Sequence, residues 1–474
     1  MLYYLALGLS SFISFLMLKW RRQQFYRLAE NSVSLLNTLI SSEDDDQKLE
    51  AMQKQTTNLF ISLLSFIALL IFALLIILTP ALTFGYWQTG EWAIISLTSW
   101  QEVLSISISA SLVFIPISPK NTSSYSELSQ LLHRLALNNY FIGLKLFRRE
   151  AKQKKKQGIT AKEEFVIVSG LARAGTTSLM NHLLKVEGFA SLSYANMPFL
   201  LAPNSWRKIY HPSDKSTKER SHKDGIKIGL NSNEALEEYF FKALSQDAYL
   251  KANRLKEYAL SEDEYHDYLS YQSLMRNSPT EIYLAKNNNF LLRYKSVRAY
   301  NAKFLFVVLF RHPLLHATSL LEKHLYYSEL QNEDPFVEEY MNWLGHHEFG
   351  LSQKAFQFGE KEPPQGDKSS LDYWLKIWLN YYQYTLPIED AQSLFIPYES
   401  LCANPQENLE LILGKLDTRL PSPTVEPFTN LRKHSDKYPY QEALMQEAMK
   451  LYQSLQSKAE LQFSKPIKRD KLSH

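Results

Sequence analysis

Apolar positions along this chain follow two regimes that change near residue 160. In the first regime they form long unbroken blocks. Leu2 to Leu18 is seventeen residues without a charge, and Leu59 to Thr79 is twenty-one, built mostly of Leu, Ile, Phe and Ala. At about 1.5 Å rise per residue, helices of this length approach or span a hydrocarbon core about 30 Å thick. A third block, Ala93 to Ile115, is diluted by Gln101, Glu102 and several serines. It predicts either a third crossing or an interfacial or re-entrant helix. The cluster Lys19-Trp20-Arg21-Arg22 follows the first block instead of preceding it, so a retained helix is expected there and not a cleaved signal peptide.

Charge then orients these blocks. The loop from Lys19 to Asn58 carries six Lys/Arg, whereas Phe84 to Trp92 carries none and offers Tyr86, Trp87 and Trp92 as interface anchors. The positive-inside rule puts the first loop in the cytoplasm and the aromatic turn outside. Lys145 to Lys156 (KLFRREAKQKKK) has seven basic residues against one acid and belongs inside as well. That requires the third block to cross, and leaves the large C-terminal part in the cytoplasm. The sequon at Asn121 is then a chance match. Leu128, Leu131, Leu132, Leu135, Tyr140, Phe141, Leu144 and Phe147 recur at helical spacing. Residues 119–160 thus read as a linker helix, lying on an anionic membrane surface or packing its apolar face on the next domain.

In the second regime the apolar runs shorten to strand length and alternate with helix-like segments. Glu164–Ser169, Glu281–Ala285, Lys303–Phe310 and Ser393–Pro397 read as buried strands. Thr177–Val186, Leu314–Tyr327 and Asn408–Leu416 read as helices between them. This alternation predicts an α/β domain over 161–465 with a central parallel sheet and helices on both faces, preceded by an all-α membrane region over 1–118 and followed by a tail, 466–474. KEPPQGDKSS (361–370) is a surface loop. With 52 Lys+Arg against 49 Asp+Glu the chain lacks the basic excess of a dedicated nucleic-acid binder. Its one cysteine, Cys402, excludes an intrachain disulfide and is expected to be a small buried residue.

The chemistry concentrates at two strand ends. VSGLARAGTTS (168–178) places Gly170 and Gly175 in a turn between a strand and a helix, with Thr176 and Thr177 at the helix start. Backbone N–H groups and hydroxyls there suit a phosphate, although a structural glycine turn has the same look. An ATP- or GTP-binding loop would carry lysine after its second glycine. Here that position is Thr176, and the loop's cation is Arg173. Further on, FLFVVLFRHPLLHATSL (304–320) ends a strand at Arg311-His312-Pro313 and sets Ser319 on the following helix. Alone this would pass for a capping device. Together the two segments offer two anion sites.

The pair resembles the sulfotransferases that use 3′-phosphoadenosine 5′-phosphosulfate (PAPS), in their bacterial-type form. The resemblance rests on Arg173-Ala174-Gly175-Thr176-Thr177, NAKFLFVVLFRHP, YLAKNNN (283–289) and FIPYESLCANPQENLELIL (395–413), and runs from about residue 163 to 455. It implies a P-loop-type three-layer fold and transfer of a sulfuryl group from PAPS to a hydroxyl or amine. It implies that Gly170 and Arg173 through Ser178 grip the 5′-phosphosulfate, and that Arg311 and Ser319 grip the 3′-phosphate. Arg432-Lys433 is a further basic pair for that phosphate, without the glycines usual around it. Lys286 matches a lysine near the transferred group. No metal is implied.

The proton acceptor does not carry over. In several membrane-bound relatives it is a glutamate about twenty residues past the loop, where this chain reads FASLSYANMPF without an acid. His222 ranks first among the candidates, with Asp224 beside it, then Glu237 or Glu238. Glu234, Glu237 and Glu238, spaced i, i+3, i+4, would share a helix face, and a solvated acidic surface is the first reading of it. Trp374, Trp378, Tyr381 and Tyr382 read as core or groove wall sooner than as a sugar platform. The resemblance suggests an enzyme of a bacterial inner membrane facing the cytoplasm, where PAPS is made. Its acceptor would be a glycan, a lipid headgroup or a small molecule. A P-loop kinase or NTPase, or an inactive nucleotide-binding membrane scaffold, are the competing readings.

Overall fold

A computed structural model describes residues 2–41, 45–90, 92, 99–114, 126–210, 218–219, 227–228, 235–425 and 437–463. The chain divides into two compact units, Met1–Ile142 and Gly143–His474.

The first unit is helical: α1 (Leu2–Trp20), α2 (Gln23–Leu39), α3 (Asp45–Thr89), α4 (Trp100–Phe114) and α5 (Glu127–Leu137). Two of these, α1 and α3, are long and apolar enough to cross a membrane. At 45 residues α3 is about 67 Å long, well over a bilayer core. Phe60, Ile61, Ile71, Phe72 and Leu74 are exposed along it, the reverse of what water would select. Ser14 Oγ donates to Ala73 O at 2.9 Å, and the Tyr3 ring stacks on Phe84 at 4.9 Å, so α1 and α3 run antiparallel. Ser105 and Ser109 donate to Tyr4 O and Gly8 O, both at 2.8 Å, so α4 runs parallel to α1.

The expected third block is only partly observed. Residues 93–98 and 115–118 lie outside the described residues, and α4 has 15 residues, about 22 Å. It begins where Ser99 and Glu102 cap one another: Ser99 N donates to Glu102 Oε2 at 2.9 Å and Glu102 N to Ser99 Oγ at 3.4 Å.

The 119–160 region is two helices, not one, where it is described. α5 ends at Leu137, and α6 (Tyr140–Lys156) starts after Asn138-Asn139. The apolar face of α6 packs into the second unit, where the Phe147 ring meets Phe240 at 5.6 Å and Tyr271 at 6.0 Å.

The second unit is built on five parallel strands: β1 (Phe165–Ser169), β2 (Phe189–Ala190), β3 (Ile282–Lys286), β4 (Leu305–Phe310) and β5 (Ser393–Pro397). Their order is β2-β3-β1-β4-β5. The four longer strands match the predicted ones, and β2 went unpredicted. β1, β3 and β4 are buried at every position, as strands covered on both faces must be. Val166, Val168, Leu284, Val307 and Ile396 face one layer with α7 (Thr176–Leu183) and residues 405–413. Phe165, Phe306 and Phe310 face the other, against Tyr268, Tyr294, Tyr382 and Tyr452. The result is the expected three-layer α/β architecture. Trp374, Trp378, Tyr381 and Tyr382 are fully buried core residues, and Cys402 is buried too.

Register fixes what happens at the sheet's carboxyl edge. Val168 is level with Lys286 on one side, and Ser169 is level with Val308 on the other. The chain leaves β1 toward β2 and β3 on one side, then crosses to β4 and β5 on the other. β1 and β4 therefore flank the switch point, where open α/β sheets leave a crevice.

Candidate functional site

Three strand ends, those of β1, β3 and β4, meet at this edge. After β1 the backbone turns at Gly170, φ +146°, so tightly over β4 that a Cβ there would lie 2.5 Å from Leu309 O. Arg173 has φ +73°, a left-handed conformation that costs a non-glycine residue about 1–2 kcal/mol. Gly175, φ +99°, is the N-cap of α7, and a Cβ there would stand 2.3 Å from the Tyr398 ring. Ala174 is buried beneath the turn, and its N–H donates to Leu171 O at 3.1 Å. His316 holds the turn from the other side. Burial keeps its imidazole neutral, with a pKa of about 3, and Nε2 donates to Ala172 O at 2.7 Å.

Gly175→Ala is therefore expected to cost about 2 kcal/mol through the left-handed φ and the displaced ring. Thermal unfolding checks this. Adding Tyr398→Ala should recover the steric part only.

The side chains converge in pairs. Arg173 Nε donates to Ser319 Oγ at 3.2 Å, which joins the first loop to α8 (Pro313–Glu333) after β4. Lys286 Nζ, at the end of β3, donates to Thr177 Oγ1 at 2.8 Å in the first turn of α7. The Arg311 guanidinium lies 4.8 Å from the centre of the Tyr398 ring, the ring that Gly175 abuts. Glu399 anchors the turn after β4 by accepting from His312 N at 3.0 Å and Tyr452 Oη at 3.1 Å. Thr176 is buried, and Thr177 and Ser178 are half-buried. Two cation–hydroxyl pairs, with Arg311 nearby, thus flank a turn whose helix N-terminus adds backbone donors, a setting for anionic oxygen.

Behind Lys286 lies a buried polar network that was legible only in part. Glu237 and Glu238 are each 1% exposed, so the solvated acidic face is not what forms. Only Glu238 is helical, at the start of a helix that runs to Ser245, with Glu237 as its N-cap. Asn287 Nδ2 donates to both carboxylates, at 3.0 and 3.1 Å. Arg293, fully buried, grips Glu238 with two bonds of 2.7 and 3.0 Å, and Tyr249 Oη donates to the same carboxylate. Tyr268 Oη donates to Glu237 at 2.7 Å. Asn287 and Arg293 were absent from the sequence candidates. The first adjoins Lys286 in a quoted segment, but nothing in the sequence marks the second.

Burial outweighs the hydrogen bonds to Glu237 and pushes its carboxyl up to about 7. The folded state thus holds this proton more tightly than the unfolded chain does. Its contribution is full below the ordinary carboxyl value near 4.5 and is lost as pH rises to about 7. On the order of 2–3 kcal/mol should disappear across that window. Glu237→Gln should flatten the fall, and unfolding midpoints at pH 4.5, 6 and 8 test it against wild type.

Of the other candidates, His222, Asp224, Glu234, Arg432 and Lys433 lie outside the described residues. Among the described residues no group of three or more His, Cys, Asp or Glu has the arrangement of a metal site.

No family model matches the chain, and no curated protein matches it. Similar solved structures include the sulfotransferase STF1 from Mycobacterium tuberculosis H37Rv, at 13% identity over 81% of this chain and 94% of that one, with a TM-score of 0.35. Another is the sulfotransferase STF9 from Mycobacterium avium, at 14% identity over 78% of this chain and 86% of that one, also with a TM-score of 0.35.

Proposed function

We propose that this protein is a membrane-anchored sulfotransferase that moves a sulfuryl group from PAPS to a hydroxyl or amine. The observation that carries the reading is the paired convergence at the switch point, Lys286 with Thr177 and Arg173 with Ser319. A donor with two phosphate ends needs cations and hydroxyls at both, and the Arg173–Ser319 bond ties the first loop to the second strand end, where Arg311 stands against Tyr398. PAPS supplies an activated sulfuryl group on a phosphate leaving group. The turn from Gly170 to Gly175, with Thr176, Thr177 and Ser178, holds the 5′ end. Arg311 and Ser319 hold the 3′-phosphate, with Arg432 and Lys433 as further contacts.

Arg173 and Lys286 provide fixed positive charge where negative charge grows during transfer. Glu238 is committed to Arg293 and serves to position. Proton removal from the acceptor falls to His222 or Glu237, the latter with its carboxyl near neutrality, as a general base requires. The parallel run of α1 and α4, with α3 opposed, supports three crossings. The basic loop after α1 then supports a cytoplasmic catalytic unit. A glycan, lipid headgroup or small molecule is the acceptor, and sulfation found only on soluble small molecules would remove the first two.

The test is calorimetric binding of 3′-phosphoadenosine 5′-phosphate and of ATP with magnesium to the full chain, wild type and Arg311→Ala. Tight binding of the 3′-phosphorylated nucleotide alone, lost in the variant, is expected. Preference for ATP would point to a kinase, and binding of neither to a scaffold.

A further inference from the structure

The seven basic residues of α6 are not equivalent. Lys154 is buried and donates to Arg276 O at 2.5 Å. The other six, Lys145, Arg148, Arg149, Lys152, Lys155 and Lys156, are exposed. Their spacing of three and four residues gathers them on one flank, turned away from the buried Phe147, Glu150 and Lys154. The helix's one acid, Glu150, is buried and spends its carboxylate elsewhere. It accepts from the backbone N–H groups of Asn204 and Ser205 and so pins the short helix Pro203–Arg207 against α6.

That pinned helix presents a second kind of surface. Beyond it Ile209 is 79% exposed and Tyr210 38%, next to exposed Arg207 and Lys208. The rings of Phe199, Trp206 and Tyr210 stack in series at 5.0 and 5.1 Å, which stiffens the patch. The bonds from Asn204 and Ser205 to Glu150 seat this segment directly beside α6. Long cations beside an exposed aromatic and an exposed isoleucine match the headgroup layer of a bilayer, where the cations meet phosphates and the rings sit at the boundary. Sequence continuity points the same way, since α6 begins within the first unit, two residues after α5 ends.

We propose that the cationic flank of α6, with the adjoining Arg207–Tyr210 segment, is a docking surface for an anionic lipid bilayer. The inference rests on the reading that α1 and α3 lie in a membrane. The apolar face of α6 is used inside the protein, so the helix docks by charge and does not insert. Docking would set the catalytic unit against the headgroup layer, where a lipid-borne acceptor is displayed.

The test uses the full chain in nanodiscs of phosphatidylcholine, alone or with about a third phosphatidylserine. Cys402 is buried, so a fluorophore on Gln153→Cys, an exposed neutral position of α6, reports alone. Nitroxide-labelled headgroups serve as quenchers. Quenching is expected to be about threefold or more stronger in anionic discs and to vanish at ~1 M salt. It should also vanish in the variant Lys145→Glu, Arg149→Glu, Lys152→Glu, Lys156→Glu. That variant should keep wild-type nucleotide binding, which reports its fold. Equal quenching in neutral and anionic discs, or quenching that survives in the variant, overturns the proposal. A chain that fails to enter discs overturns the membrane reading and the docking surface with it. Nucleotide binding is read separately, so neither failure is confused with failure of the sulfotransferase assignment.

Discussion

Arg173→Ala is expected, on the proposed sulfotransferase function, to lower PAPS-dependent transfer about 10²–10³-fold while leaving the unfolding temperature nearly unchanged. The size follows from what removing one preorganised donor costs when charge develops in a closed site. The lack of a stability effect follows from the backbone. Arg173 sits at φ +73°, and alanine there suffers the same left-handed strain as arginine. Arg173→Gly removes the strain as well as the charge, so it should be slightly more stable than wild type yet as inactive as the alanine variant. That divergence is the signature of strain kept for function. Arg173→Lys retains a charge but loses the planar fork that reaches Ser319 Oγ, and should fall between. Turnover at saturating donor, measured beside thermal unfolding for all three, decides the matter. Unchanged transfer in Arg173→Ala would sink the assignment of this loop.

What was legible in the sequence follows a physical division. Strands buried on both faces announce themselves as continuous apolar runs, so β1, β3, β4 and β5 were readable to within two residues. β2 is two residues long and leaves no pattern. The turn after β1 is legible because its backbone conformation demands glycine at fixed places, at Gly170 and Gly175. The start of α4 is also written in the sequence, where Ser99 and Glu102 form a capping pair, although hydrophobic length alone suggests an earlier start. The break between α5 and α6 carries the same lesson, with two asparagines standing where a helix would have to end. The carboxylate network was not legible. Glu238 and Arg293 are 55 residues apart, and only the tertiary fold brings them together. An acidic i, i+3, i+4 pattern on its own describes a solvated face equally well.

Arg293→Met is expected to produce the largest stability loss, about 3–5 kcal/mol, because it leaves Glu238 buried with its charge uncompensated. For a unit of this size that is roughly 6–12 °C in unfolding temperature. Glu238→Gln should cost a similar amount by stranding the guanidinium. The double variant Glu238→Leu, Arg293→Met should cost clearly less than the sum, since two apolar side chains replace a pair that had no water to return to. If the double variant were additive, the two residues would not act as a unit. The functional readout separates support from contact. Asn287 is tethered by both carboxylates and adjoins Lys286, whose Nζ meets Thr177. Loosening the network should shift Lys286 without touching Arg311 or Ser319. The double variant, if folded, should therefore bind 3′-phosphoadenosine 5′-phosphate nearly as well as wild type and lose turnover. Equal loss of binding and turnover would mean that the network holds the whole crevice open, and not Lys286 in particular.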